Sequence, residues 1–281
     1  MKYEIGIIGG KSNLFNRFCK LSLKNSSYNF VTYGRNECDV SLDLNSDLSV
    51  DYLTSIIGSQ SQISCFMIFA GVSKPDKCAD NPWLSYKVNV INLIKLISIC
   101  LELKKEIIFL SSDAVFETAS KPINENNKLE PLSAYGIQKA AIENYFMDHK
   151  NFKSLRLSYV LCRDDFLLDK SMYLEKCGMY RNFMRNVIVE DDLYKVLDEY
   201  ISNFQQHPEC LNIAGLECLS KFDIGLEVAK AYKFPKPRAC DASDDFFANR
   251  ARKINMQSLY LSDVLSRFPT NVPEWLTQLK S

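Results

Sequence analysis

Glu106-Ile107-Ile108-Phe109-Leu110-Ser111-Ser112 is the stretch that decides the fold. The run from Glu106 to Leu110 reads as a strand, apolar nearly throughout, as suits a parallel strand covered on both faces. Just upstream, Asn89 to Leu103 carries Ile91, Leu93, Ile94, Leu96, Ile97 and Ile99, a helix apolar over much of its surface. Earlier still come strands at Tyr3–Ile8, Phe30–Tyr33 and Ile63–Ala70. The glycine pair Gly9-Gly10 and an amphipathic helix over about Asn13–Lys24 follow the first of these. Downstream, Ser133 is placed to cap a helix running to about Met147. Strands then recur at Ser154–Tyr159, Asn186–Val189 and Cys210–Ala214, with helices over Asp191–Phe204 and Ser220–Tyr232. This alternation predicts an α/β fold built on a doubly wound parallel sheet. Leu161 to Arg185 is irregular. After Pro235 and Pro237 the chain reads as loosely packed loop until Trp275.

Ligands of open α/β sheets bind beyond the C-terminal ends of the strands, and Ser111-Ser112 falls at such an end. Tyr135-Gly136-Ile137-Gln138-Lys139 lies in the first turns of the helix capped by Ser133. A tyrosine and a lysine at this spacing share one helix face, about a turn apart. The spacing alone is uninformative, because 14 tyrosines and 24 lysines in 281 residues supply about one such pair by chance. A second copy, Tyr232 to Lys236, contains Pro235, which argues against a helix there. Context therefore selects Tyr135 and Lys139. With Ser112 they make a coherent proton-transfer set. Reduction of a carbonyl by hydride creates an alkoxide, which needs a proton donor and a polarising hydrogen bond. A tyrosine serves if its pKa is drawn down from about 10, and a nearby ammonium does this by stabilising the phenolate. Three units correspond to about 4 kcal/mol.

Composition narrows the function classes. Acidic and basic residues balance at 34 each, and no like-charge block exceeds three residues, so the electrostatic footprint of a nucleic-acid binder is missing. The strongest apolar run, Cys65 to Val72, is less than half of a membrane span. The N-terminus moves directly into a strand, without a signal-peptide pattern. Ten cysteines lack any CxxC spacing, and with only two histidines, His149 and His207, no metal site is expected. Reduced cysteines and a cytoplasmic location follow.

The motifs reach further when taken together. Phe69-Ala70-Gly71 opens a loop that ends in Asp80-Asn81-Pro82, and Asn89 begins an N-V-x-x-x-x-x-L-like helix segment. Ser111 to Phe116 is similar to S-[ST]-D-x-V-F, Leu155 to Ser158 to L-R-x-S, and Asn212 to Gly215 to N-I-G-G. Arg252 to Leu259 is similar to R-P-x-N-S-x-L. In this combination, over nearly the whole chain, the sequence resembles the extended short-chain dehydrogenase/reductase family. Within it, the likeness is to the dTDP-4-dehydrorhamnose reductase-like branch of the NAD-dependent epimerase/dehydratase superfamily.

The resemblance implies a Rossmann-type dinucleotide-binding domain over 1–160, with 186–214 returning to it. A small C-terminal substrate-binding lobe would comprise 161–185 and 215–281. It implies that Ser112 hydrogen-bonds the substrate carbonyl, Tyr135 donates the proton and Lys139 orients the nicotinamide ribose. Gly9, Ser12, Asn13, Leu14, Arg35, Ala70, Gly71 and Asn89 would line the cofactor, with Asp39-Val40 on its adenine. Asp113 and Arg252 would bind substrate, the arginine facing the diphosphate of a nucleotide sugar through its paired donors. Arg35, just after Gly34, favours the 2′-phosphate of NADP over NAD.

The chain also departs from the family. Its first loop would read G-x-x-G-x-x-G, but these positions are Gly9, Ser12 and Phe15. Gly10 relieves only the turn, and Phe15 is expected to push the helix away from the sheet. The family's V-Y-G is Val160-Leu161-Cys162, so that turn must differ, and Arg163 to Met179 matches no family segment. Asp113-Ala114 lacks the Asp-Glu pair of nucleotide-sugar dehydratases, and no cysteine follows the serine pair as in fucose-forming epimerase-reductases. The expected activity is NAD(P)H-dependent reduction of a nucleotide-linked 4-keto-6-deoxy sugar for surface polysaccharide biosynthesis. A nucleotide-sugar 4-epimerase and a catalytically silent binding relative are the alternatives. Nucleic acid and membrane are not expected partners, and a homodimer is compatible with the sequence.

Overall fold

The computed structural model describes residues 3–22, 28–119, 121–175 and 178–280. In chain order its elements are β1 (Tyr3–Ile8), α1 (Asn13–Ser22), β2 (Tyr28–Gly34), β3 (Val40–Ser41), α2 (Val50–Gly58), β4 (Ile63–Ile68), α3 (Pro75–Asp80), α4 (Pro82–Tyr86), α5 (Asn92–Glu102), β5 (Glu106–Ser112), α6 (Ala134–Phe146), β6 (Phe152–Leu157), β7 (Tyr159–Leu161), α7 (Lys170–Glu175), β8 (Gly178–Tyr180), β9 (Met184–Val189), α8 (Glu190–Ser202), β10 (Cys210–Ile213), β11 (Cys218–Ser220), α9 (Lys221–Tyr232), β12 (Arg238–Cys240), β13 (Lys253–Ile254), α10 (Leu261–Leu265) and α11 (Val272–Gln278). Leu23 and Lys24, at the expected end of α1, lie outside the described residues.

Among the described residues seven strands form one sheet in the order β10-β6-β5-β4-β1-β2-β3. The pairings of β1 with β2 and β4, and of β4 with β5, are parallel. Ile8 is level with Tyr33 and Ile68, and Ile68 with Phe109. That register brings the C-terminal ends of four strands to one edge, which fixes where Gly9, Gly34, Phe69 and Leu110 stand. The expected α/β class and doubly wound sheet are found.

The chain divides into two compact units. The first comprises Met1–Ser111, Ser133–Leu155 and Asp198–Cys210, and the second Ser112–Leu132, Arg156–Leu197 and Leu211–Ser281. The expected lobe was smaller. Ser112–Leu132 joins the second unit because Ile123 bridges to Met256 and the Glu125 carboxylate takes bonds from Asn212 N, Ser258 Oγ and Leu259 N. Residues 186–197 join it because β9 pairs with β7, β11 and β13.

The first unit's core is apolar and aromatic. Ile8, Tyr33, Phe66, Ile68, Leu96, Ile97, Ile107, Phe109 and Phe152 are all buried in one cluster. Burying each such side chain contributes about 1.5–3 kcal/mol. The helix expected over Asn89–Leu103 begins earlier. It runs unbroken from Pro82 to Glu102, passing from α4 to α5 through a π-helical turn at Lys87–Ile91. This run is long and apolar enough to cross a membrane by length and composition, but most of it is buried inside the protein. Core packing accounts for its apolarity.

In the second unit a four-stranded sheet joins β11, β9 and β13, with β7 paired on β9, and β12 pairs with β8. Val160 and Leu161 thus continue as strand where the family pattern would turn. Ser220 caps α9 with a full capping box, its hydroxyl receiving Asp223 N while the Asp223 carboxylate receives Ser220 N. The helix stops after Tyr232 at Lys233, which is left-handed at φ 56°. The second Tyr–Lys spacing therefore does not lie on a helix.

The C-terminal segment is not loose. Trp275 and Leu276 are fully buried, and the Trp275 indole donates to Asp191 Oδ2 at 2.5 Å. Asp192, with no exposed surface, takes bonds from Thr270 N at 2.6 Å and Thr270 Oγ1 at 3.2 Å and pairs with Arg267. Two short helices bury Leu261, Val264 and Leu265 and Val272, Trp275 and Leu276, and the buried Asp192 carboxylate ties the turn between them to α8. Asp192→Ala should cost about 3 kcal/mol of stability. Urea unfolding of the two proteins checks it, and a midpoint within error of wild type would refute it.

Candidate active site

The register of β1, β2 and β4 sets a cavity of about 360 Å3 in the first unit, beyond the strand ends. Gly9 shapes its floor. Its φ is +93°, and a Cβ there would lie 2.6 Å from Ala70 N, so only glycine fits. Gly9 N and Gly10 N both bond Tyr33 O, at 2.9 and 3.3 Å, which folds the turn onto β2. Gly10 does more than relieve the turn, since a Cβ would approach Thr32 Cβ to 2.5 Å. Ser12 Oγ accepts from Phe15 N at 3.1 Å and so caps α1.

Phe15 is accommodated by packing. Its ring is buried, edge-on to Phe30 and Phe69 with both centroids at 5.5 Å, and Phe18 packs on Phe30 at 5.8 Å. The bulk that a third glycine would have avoided is absorbed into an aromatic layer.

Gly9, Ser12, Arg35, Ala70 and Gly71 line the cavity, whereas Asn13 and Leu14 do not. Asp39-Val40 also lie outside it. The Asp39 carboxylate is committed to Thr32, accepting from N at 2.8 Å and Oγ1 at 2.7 Å, and these bonds hold its pKa below the usual carboxylate value. The walls are formed instead by Asp43 and Leu44, with Lys11 and Asn45. Asn89 is buried behind the wall. Its amide accepts from Val72 N at 2.8 Å and donates to Val72 O at 3.0 Å and Gln138 Oε1 at 2.8 Å. Gln138 Nε2 donates onward to Ser85 Oγ at 2.8 Å. Sequence reasoning missed Gln138, which occupies a variable position of the Tyr–Lys spacing.

Tyr135 and Lys139 lie on α6, whose cap is Ser133 Oγ accepting from Gly136 N at 3.0 Å. Lys139 is buried. Its Nζ donates to Leu110 O at 2.7 Å and stands 4.5 Å from the Phe109 ring centroid and 5.8 Å from that of Tyr135. Burial drives its pKa down to about 8, against the opposing charges of Glu143 and Cys78. The ammonium is thus held beside the phenol by a main-chain acceptor of β5.

Ser112 ends β5 and belongs to the second unit. Its Oγ accepts from Ala114 N at 3.2 Å and bonds Asp113 Oδ1 at 3.2 Å. Asp113 is buried, with Arg185 Nε at 3.3 Å and Ser158 Oγ at 3.4 Å from Oδ2. Burial raises its pKa, and Arg185 opposes that rise. Arg185 belongs to none of the motifs. Arg252, half exposed, is paired with Asp244, and its guanidinium lies 4.2 Å from the Phe247 ring centroid.

A cavity over parallel strand ends, a glycine turn opening a helix, and a Tyr–Lys pair on the helix after β5 define a Rossmann-type α/β protein. The chain belongs to the RmlD substrate binding domain family, whose model matches residues 5–177, within the NAD-dependent epimerase/dehydratase superfamily. No match is found among curated protein sequences. Solved structures share the fold. A dTDP-4-dehydrorhamnose reductase from Yersinia enterocolitica superposes with a TM-score of 0.81 at 19% identity, covering 98% of this chain and 99% of its own. The Bacillus anthracis str. Ames dTDP-4-dehydrorhamnose reductase in complex with NADP gives 0.79 at 14% identity, with 99% and 98% covered. A UDP-glucuronic acid 4-epimerase from Bacillus cereus, in complex with UDP-glucuronic acid and NAD, gives 0.76 at 17% identity, with 98% and 99% covered.

The depressed lysine has a thermodynamic consequence. Between about pH 8 and the ordinary value of 10.5, unfolded Lys139 binds a proton that folded Lys139 does not. Stability therefore gains from this residue as pH rises through that window. Unfolding free energies measured across it for wild type and Lys139→Met should differ in slope, the variant lacking the upward contribution. Identical slopes would remove the assignment.

Proposed function

We propose that this protein is an NAD(P)H-dependent reductase of a nucleotide-linked 4-keto-6-deoxy sugar. The observation that carries the reading is Lys139: buried, tied to Leu110 O and set 5.8 Å from the Tyr135 ring centroid. A lysine so placed favours the phenolate and lowers the cost of proton transfer to a developing alkoxide. Support for a dinucleotide comes from the cavity. Only glycine fits at position 9, the turn opens a ten-residue helix, and two cationic side chains, Lys11 and Arg35, reach the walls. These residues fit the group, and several structural neighbours are complexes with NAD or NADP.

The nicotinamide cofactor, when bound, supplies the hydride. Of the chain's own groups, Tyr135 delivers the proton, Lys139 orients the ribose and stabilises the phenolate, and Ser112 hydrogen-bonds the carbonyl. Asp43-Leu44, rather than Asp39-Val40, would meet the adenine side, and Arg35 would meet a 2′-phosphate. Asp113 does not contact substrate in this reading, because its oxygens are already engaged. Arg252 retains its part toward the diphosphate, which would have to displace Asp244 from it. The proposed setting is the cytoplasm and the supply of sugars for surface polysaccharide.

The test is direct. Purified protein, NADPH and a panel of dTDP- and UDP-linked 4-keto-6-deoxy sugars should consume reduced cofactor. Absence of cofactor binding at millimolar NADPH and NADH would sink the reading. Cofactor retained through purification with no net consumption would replace it with 4-epimerisation. Tyr135→Phe should lower kcat by about 10^2 or more with little change in NADPH affinity. Arg35→Ala should weaken NADPH on the order of tenfold and NADH little, as fluorescence titration will show; equal losses would refute the 2′-phosphate contact.

A further inference from the structure

Arg185 stands on β9, far in sequence from every motif that marks the site, yet its guanidinium reaches the residue next to Ser112. Its contacts are all to one end. Nε lies 3.3 Å from Asp113 Oδ2, Nη1 donates to Met184 O at 2.7 Å, and Nη2 donates to Ala251 O at 2.9 Å. The Phe183 ring lies 4.2 Å from the guanidinium carbon. The side chains of Arg185 and Asp113 are 10% and 12% exposed. A planar fork held by two carbonyls and a ring has little freedom to swing toward a ligand.

Asp113 passes this fixity on. Oδ2 takes Arg185 and Ser158, while Oδ1 faces the Ser112 hydroxyl at 3.2 Å. Ser112 Oγ already accepts from Ala114 N, so its proton is the one shared with Asp113. The rotamer of the hydroxyl is therefore set from both sides, by the start of the 3-10 turn Asp113–Phe116 and by a carboxylate that Arg185 holds in place.

We propose that Arg185 is a positioning residue for Ser112, acting through the Asp113 carboxylate to fix the hydroxyl that meets the sugar carbonyl. This rests on the reductase reading for its catalytic consequence, but the coupling itself is a property of the fold. Arg185 is not a ligand of the substrate. A charge in the guanidinium position is needed because a carboxylate this buried otherwise prefers its proton, and a protonated Asp113 would donate to Ser112 rather than accept from it.

The test uses Arg185→Lys, Arg185→Met, Asp113→Asn, and the double variant Arg185→Met with Asp113→Asn. The double variant leaves no unpaired buried charge and guards against simple misfolding of the singles. Two readouts are needed. Amide hydrogen exchange at Ala114, whose N–H is held by Ser112 Oγ, should quicken at least tenfold in Asp113→Asn and in the double variant, approaching Ser112→Ala. Exchange at wild-type rate in all of them overturns the proposal. In turnover, Arg185→Lys should lower kcat about tenfold with KM within twofold. The double variant should be no slower than Asp113→Asn alone, because the two residues act in series. A raised KM at unchanged kcat, or losses that simply add, overturns it in favour of substrate contact. Quickened Ala114 exchange without turnover on any keto sugar would retain the positioning role and reject the reductase reading.

Discussion

The side-chain amide of Asn89 binds the first unit's parts to one another. It accepts from and donates to the main chain of Val72 and also reaches Gln138 on α6. The loop after β4, which carries Ala70 and Gly71 into the cavity wall, is thereby locked to the helix that carries Tyr135 and Lys139. An amide can do this because it offers two donors and an acceptor in a rigid plane. Buried among apolar neighbours, such bonds are costly to leave unmade, so the geometry they define is the geometry that folds. The π-helical turn at Lys87–Ile91 is what presents Asn89 there, and turns of this kind often mark functional positions.

Charge is then placed where apolar packing would not put it. Lys139 is desolvated against Phe109 and compensated by a carbonyl, with Glu143 one turn further along the helix. Asp113 and Arg185 are similarly withdrawn from water in the second unit, and Asp192 in the same unit organises the C-terminal segment. A buried ion pair adds little net stability compared with apolar residues of the same size, and its use lies in fixing geometry. Asp113, Arg185 and Asp192 each have their orientation specified at more than one atom.

Much of this could be read from the residues. The strands, the cap at Ser133, the capping residue Ser220 and the rejection of the Tyr232 spacing all follow from local chemistry: apolar runs, side-chain oxygens before helices, and proline. Gly9, Ser12, Arg35, Ala70 and Gly71, which the family resemblance assigned to the cofactor, line the cavity. The failures share a cause. Asp39 resembled a ligand contact, but Thr32 claims its carboxylate, and Asp43, four residues on, lines the wall. Arg185, Gln138 and Asp192 act through long-range polar contacts, which leave no period or spacing in a sequence. The packing of Phe15 is hidden for a related reason: its partners Phe30 and Phe69 are distant in the chain, and only the fold brings them to it.

That aromatic layer changes what the first loop costs the chain. Serine and phenylalanine have fewer backbone states to lose than glycine when the loop becomes ordered. The ring at position 15 also anchors the start of α1 by packing that needs no ligand. A glycine-rich loop can borrow the order it needs from the phosphate it embraces. Here the order is established during folding, so a dinucleotide would meet a receptor already set, and less of its binding energy would go into arranging the receptor.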